Sequence, residues 1–225
     1  MRRKLYVMAG DVVSSRSITE RAAFRRQLEQ VCRRVNKTFL EDMYADFRIL
    51  KGIDEIEGVL LNASNCYGIL DMILTEIYPH SMRFALVHDF IETAENSRDV
   101  SRMDGPAFHT ASDVLKSLKK TGLVFAMRTD DELLDRAVAA DVNLMMLLKK
   151  SWSRRQHEVY SKYRETGTQH EVAETLGITQ QAVSGALRRS MWKEISGIEE
   201  DLQYVFRHLP VKNLAGSRED SYEQY

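Results

Sequence analysis

Between Thr168 and Arg189 small, apolar and polar residues recur at spacings that suit two short helices meeting at a sharp corner. Val172, Ala173 and Leu176 fall on one face of the first helix, and Ala173 is small where two helices would cross closely. Gly177 supplies the left-handed backbone that a tight turn needs. Ile178 plugs the corner, and Thr179 can cap the helix that follows. Val183, Ala186 and Leu187 then face inward, which leaves Gln180, Gln181, Ser184, Arg188 and Arg189 outward. An upstream helix, Trp152 to Glu165, would complete a trihelical core through Trp152, Val159, Tyr160 and Tyr163, with Arg154, Arg155 and Lys162 in water.

The outward set has a chemistry. Glutamine and arginine make paired hydrogen bonds to adenine and guanine edges in the major groove. Thr168, Thr179 and Ser184 can hold phosphates. The spacing from Ala173 to Gly177 to Val183 resembles the helix-turn-helix signature of many bacterial regulators. Charge supports it: from Lys149 to Lys193 there are nine Lys/Arg against four Asp/Glu, although the whole chain has a net charge of −1. The competing reading is a helical dimerisation or docking domain whose charges are merely solvated. Beyond it, Met191, Trp192, Ile195, Ile198, Leu202, Val205 and Phe206 mark a further amphipathic helix. That stripe either joins two copies, as half-site recognition requires, or packs on the domain's own core.

Upstream, Leu5 to Ala9 reads as a buried central strand ended by Gly10-Asp11. Thr19 could cap a helix carrying Phe24, Leu28, Val31, Val35 and Leu40. Phe47–Leu50 and Ile56–Leu61 form a hairpin around Gly52–Glu55. Tyr67, Leu70, Ile73, Leu74 and Ile77 mark a helix stopped by Pro79, and Met82–Val87 another strand. A polar loop (Glu92–Met103) follows, then a helix opened by Gly105-Pro106, a strand over Leu123–Met127 and a long helix over Asp131–Lys150, on which Met145 and Met146 read as core. The order β-α-β-β-α-β-α-β predicts an α+β fold: a ferredoxin-like or palm antiparallel sheet with helices on one face, followed by an all-α helix-turn-helix domain. The expected division is residues 1–148 (ligand sensing or assembly), 149–210 (DNA binding) and a flexible polar tail over 211–225.

Cys32 and Cys66 lie in apolar helical patterns, which suits core packing rather than a disulfide or metal site. No signal-peptide core or spanning segment is present, so a cytoplasmic location is expected. With 44% hydrophobic and 29% charged residues, the chain falls among ordinary globular proteins rather than disordered ones. His80, His88 and His109 share no metal-ligand spacing, and Arg83 reads as a salt-bridge partner or phosphate contact, with the former favoured.

Gly10-Asp11-Val12-Val13-Ser14-Ser15-Arg16 sits where a strand meets a helix, and Asp54-Glu55 at the hairpin tip. In a palm-like sheet these places are neighbours, so Asp11 and Asp54 could share a divalent metal; acidic residues at such ends also serve as solvated caps. The first motif, together with Gly52–Gly58 and Met103–Ala111, resembles the successive motifs of the SatD family over roughly residues 4–125. SatD proteins are similar to class III nucleotidyl cyclases, whose palm domains carry two metal-binding aspartates. The resemblance implies Asp11 and Asp54 as metal ligands, a nucleotide held near Asp11, Ser14, Ser15, Arg16 and Asp54, and magnesium or manganese as its ion. Two departures matter. Gly52-Ile53-Asp54-Glu55 stands where the family reads Gly-Asp-Glu-Phe, so either acid can take the aspartate's place. The positions where cyclases carry asparagine and arginine are His109 and Asp113, and an aspartate repels the phosphoryl charge it should stabilise.

The expectation is therefore a DNA-binding transcriptional regulator with a degenerate cyclase-like domain open to a nucleotide ligand, acting on double-stranded DNA as a homodimer or higher homo-oligomer, with cyclase turnover disfavoured by Asp113 but left open. The alternatives are a metal-dependent nucleotidyl cyclase or transferase with an appended DNA-binding module, and a scaffold with a helical interaction domain.

Overall fold

The first apolar run lies at the centre of a five-stranded sheet. In a computed structural model, which describes residues 3–52, 54–92 and 98–209, strand β1 (Arg3–Val12) is flanked on both sides in the order β2-β3-β1-β4-β5. Ile53 of the hairpin, residues 93–97 of the polar loop and the tail expected over 211–225 lie outside the described residues. β2 (Met43–Lys51) and β3 (Glu55–Leu60) form the expected hairpin, and β3 and β4 (Met82–Ile91) run antiparallel to β1. β5 (Phe125–Arg128) pairs parallel to β4, so the sheet is mixed at that edge rather than wholly antiparallel.

Eight consecutive buried positions end β1, because both faces of the sheet are covered. Tyr6, Met8 and Val12 pack with helices α1 (Arg21–Thr38) and α2 (Cys66–Glu76) in the larger core, which α4 (Glu132–Lys150) enters through Val138, Val142, Met145 and Met146. Leu5, Val7 and Ala9 point the other way, onto Ala107, Phe108, Ala111, Val114, Leu115 and Leu118 of α3 (Pro106–Thr121). The expectation of helices on one face therefore needs correction. α3 crosses to the opposite face because its apolar stripe matches the odd-numbered residues of β1. Gly105 makes the entry possible: its φ is +136°, and a β-carbon there would come within 2.9 Å of the Glu92 backbone nitrogen.

Local expectations differ at a few ends. α1 starts at Arg21 without a side-chain cap from Thr19, and Leu40 lies past its end, 68% exposed. Cys32 and Cys66 are core residues, and burial pushes the Cys32 thiol up to about 12.

After α4 the chain is helical: α5 (Arg154–Thr166), α6 (Gln169–Leu176), α7 (Gln180–Arg189) and α8 (Trp192–Arg207). α5, α6 and α7 enclose a small core of Val159, Val172, Ala173, Val183, Ala186 and Leu187. Trp152 and Tyr160, expected inside that trihelical core, belong to the larger one instead. The same holds for Ile195, Leu202 and Phe206 of α8, so that stripe packs on the chain's own core beside α2 and α4. Among the described residues no helix is long and apolar enough to cross a membrane.

Candidate functional site

The corner between α6 and α7 is built by caps. Thr168 Oγ1 accepts from the Glu171 N–H (3.3 Å) and Thr179 Oγ1 from the Ala182 N–H (3.1 Å), each satisfying a donor that the helix start leaves unpaired. Gly177 takes the left-handed conformation at φ +62°, and the Ile178 N–H bonds back to the Ala173 carbonyl at 3.0 Å. Burying Val183, Ala186 and Leu187 fixes the rotation of α7. Gln180, Gln181, Ser184, Arg188 and Arg189 are consequently all exposed, along with Thr168 and Thr179. The seven residues expected to contact DNA are therefore all open to solvent. On α5 the exposed Arg154 and Arg155 both pair with Glu158.

The second group lies at the end of β1. Asp11 stands opposite both Glu55 and Arg83 in the sheet. The Val12 N–H donates to the Asp54 carbonyl at 2.8 Å, which draws the hairpin tip against the strand end as the sequence implied. Asp11 is 5% exposed, and both of its oxygens are engaged: Oδ2 with Arg83 Nη1 at 3.3 Å, Oδ1 with Lys119 Nζ at 2.9 Å. Arg83 is thus the salt-bridge partner that was favoured. Lys119 had no signal in the sequence beyond its position one residue past the buried Leu118.

Around them, Ser14 (φ +54°) and Arg16 are exposed, Ser15 is half-buried, and the Ser15 carbonyl accepts from Arg21 Nη1 at 3.3 Å. His109 and Asp113 do not join this group. They precede Lys119 on α3 by ten and six residues, roughly 15 and 9 Å of helix rise, and are occupied with Asp104 and Lys116 respectively. The hydrogen bond from Lys116, with its charge, holds the Asp113 carboxyl below the usual range.

One observation favours a cation: Asp54 Oδ1 is buried with no hydrogen-bond partner. The charges beside Asp11 answer against it. One or two carboxylates with water and phosphate oxygens are enough for magnesium, but here Arg83 and Lys119 already engage both oxygens of Asp11 and neutralise it. In this arrangement the residues do not fit a divalent ion.

A third group was invisible in the sequence. Lys149, where the division between the two parts of the chain was expected, is buried at a meeting of four helices. It pairs with Asp71 of α2 and Glu199 of α8, while Arg164 of α5 also reaches Asp71. Tyr67 and Tyr160 donate to Glu199 at 3.0 and 2.7 Å. Burial opposes charge on Asp71, but Lys149 and Arg164 outweigh it and hold the carboxyl below its usual range. Beside this network a cavity of about 350 Å³ opens among Tyr78, His80, Trp152 and His157.

Comparison with known proteins gives three results. The profile of the SatD family matches residues 6–195. No curated protein matches the chain. Two solved structures of a bacterial light-regulated adenylyl cyclase are similar, each with a TM-score of 0.40 and 11% identity over 56% of this chain and 43% of theirs, so the chain spans less than half their length.

Proposed function

The chain belongs to the SatD family, and from there we propose that it is a DNA-binding transcriptional regulator of the cytoplasm, with residues 149–210 as a helix-turn-helix domain and residues 1–148 as a degenerate nucleotidyl cyclase-like palm. The observation that carries this reading is that Gln180, Gln181, Ser184, Arg188 and Arg189 of α7 are all exposed while Val183, Ala186 and Leu187 hold the helix to its core. α6 lies across the DNA backbone and α7 enters the major groove. Gln180, Gln181 and Arg188 supply base choice. Arg189, Ser184 and the helix starts at Thr168 and Thr179 supply phosphate contacts. The local basic excess makes affinity salt-dependent.

Selection of genomic fragments by the purified chain, followed by anisotropy titration, tests it. Arg188→Ala should weaken the selected site by about 1–3 kcal/mol, and affinity should fall as salt rises. Absence of any salt-dependent duplex binding sinks the reading and leaves the scaffold.

The sheet domain binds a nucleotide in this scheme without turning it over. Arg83 and Lys119 take the place of a metal beside Asp11, so calorimetric binding should survive a chelator. The orphaned Asp54 oxygen is what speaks for the second reading, a metal-dependent nucleotidyl cyclase or transferase. That reading requires product from a nucleoside triphosphate with magnesium or manganese, abolished by Asp11→Asn. No product from the common triphosphates removes it.

A further inference from the structure

Helix α4 has two apolar faces. Val138, Val142, Met145 and Met146 enter the core. On the opposite side Leu133, Ala137, Ala140, Leu144 and Leu147 are all exposed, the three leucines at 81%, 59% and 53%. Single exposed leucines are ordinary on a protein surface. A straight row is different. These five are spaced four, three, four and three residues apart, the alternation of the a and d positions in a coiled-coil seam. The row runs for roughly 21 Å at 1.5 Å per residue.

With Ala137 and Leu144 at a, and Leu133, Ala140 and Leu147 at d, the flanking g position is Arg136 and the next e position is Asp141. Side chains at g and e pair between strands and set their orientation. In two parallel copies in register, Arg136 of one helix meets Asp141 of the other, and the reverse. An antiparallel arrangement loses both pairs. Arg136 already touches Glu132, yet its side chain stays 71% exposed and faces outward, and Asp141 is exposed as well. The alanines at the middle of the row let two helices approach closely. The other apolar stripe once available for assembly, on α8, is used up inside the chain's own core.

We infer that α4 is the seam of a parallel homodimer, its partner being the same face of a second copy of this chain. Three residues separate α4 from α5, so the two copies carry their α5–α7 units at the same end of the seam. The dimer is measured without DNA, so its failure and that of the DNA-binding reading can be told apart.

Sedimentation equilibrium on the full chain across a micromolar range should give a dimer. Leu144→Glu combined with Leu147→Glu should weaken it at least about tenfold, and at concentrations low enough to hold wild type as a monomer it should leave the thermal melt in place, because neither side chain enters the core. Arg136→Glu should weaken it too, and adding Asp141→Arg should restore it. For register, Leu133→Cys alone should cross-link to itself under mild oxidation; Cys32 and Cys66 are buried and compete little. A monomer at every concentration overturns the inference. So does a dimer indifferent to the two glutamates, or a cross-link that forms only when Leu133→Cys and Leu147→Cys chains are mixed.

Discussion

Two buried groups decide how individual residues respond to change. Lys149 neutralises Asp71 and Glu199, and all three side chains are within a tenth of full burial. Removing one partner of a buried ion pair leaves an uncompensated charge, which costs more than the intact pair contributes. Lys149→Met should therefore lower stability by about 3–5 kcal/mol in urea unfolding, with the slope unchanged. A loss below 1 kcal/mol would mean that Arg164 alone neutralises the carboxylates. His157 lies between the rings of Tyr78 (4.2 Å) and Trp152 (5.3 Å), with Nε2 buried and unpartnered. Burial lowers its pKa below the ordinary 6.5, and the nearby Lys149 charge acts in the same direction. The folded state thus holds the neutral ring while the unfolded chain binds the proton. The contribution is complete above pH 6.5 and shrinks as pH falls toward the folded value. His157→Phe keeps the ring but removes the titration, so the melting temperature should fall less steeply from pH 7 to pH 5 than in wild type. His88, also lowered mainly by burial, preserves part of the slope. Identical slopes would show that His157 is protonated equally in both states.

Among the elements, β5 explains what α4 does besides forming a surface. An edge strand exposes unpaired backbone, and here a helix side chain covers it. Asn143 Oδ1 accepts from the Val124 and Phe125 N–H groups at 2.9 and 3.1 Å, and its Nδ2 donates to the Phe125 carbonyl at 2.7 Å. Asn143→Leu would fill similar space yet orphan three backbone groups, at about 1–3 kcal/mol for each one that water cannot reach. The expected result is a lower melting temperature with a tendency to aggregate through β5, read by light scattering below the melt. An unchanged melt would show that the edge is satisfied without Asn143. The elements themselves were legible in the sequence because each has one strong period: the apolar run of β1, the hairpin around Gly52, the stripe of α1 and the capped corner at Gly177. Asn143 was not legible, because a polar residue within an apolar helix looks the same whether it faces water or a strand edge. Nor was Lys119, whose partner lies more than a hundred residues away in β1. The exposed row on α4 was hidden by the buried one, since both faces read simply as apolar.

At the scale of the whole molecule, the way α8 packs sets the cooperativity. Two parts joined only by a linker would unfold in two steps. Here α8 returns from the α5–α7 unit to the sheet: Ile195, Leu202 and Phe206 share a core with Phe125 and Met145, and Phe206 meets the Phe125 ring edge-on at 6.4 Å. Gln203 Nε2 donates to the Ser64 carbonyl and the Asn65 side chain at 2.8 and 2.9 Å. Glu199 completes the charge network with α2, α4 and α5. Opening the sheet part alone, with α2 and α4, would expose that core and take Asp71 and Lys149 away from Arg164 and Glu199. Opening α5–α8 alone would expose the same core and break those pairs from the other side, leaving only Lys149 with Asp71. Either route exposes the shared apolar core and breaks buried ion pairs, which couples the two parts. Calorimetry should therefore show one transition in which the measured enthalpy equals the van't Hoff enthalpy. Phe206→Ala should shift that transition down as a whole, by about 3–5 kcal/mol, without dividing it. Two resolved peaks, with only one moved by Phe206→Ala, would mean that the α5–α7 unit and the sheet fold independently and that α8 merely rests between them.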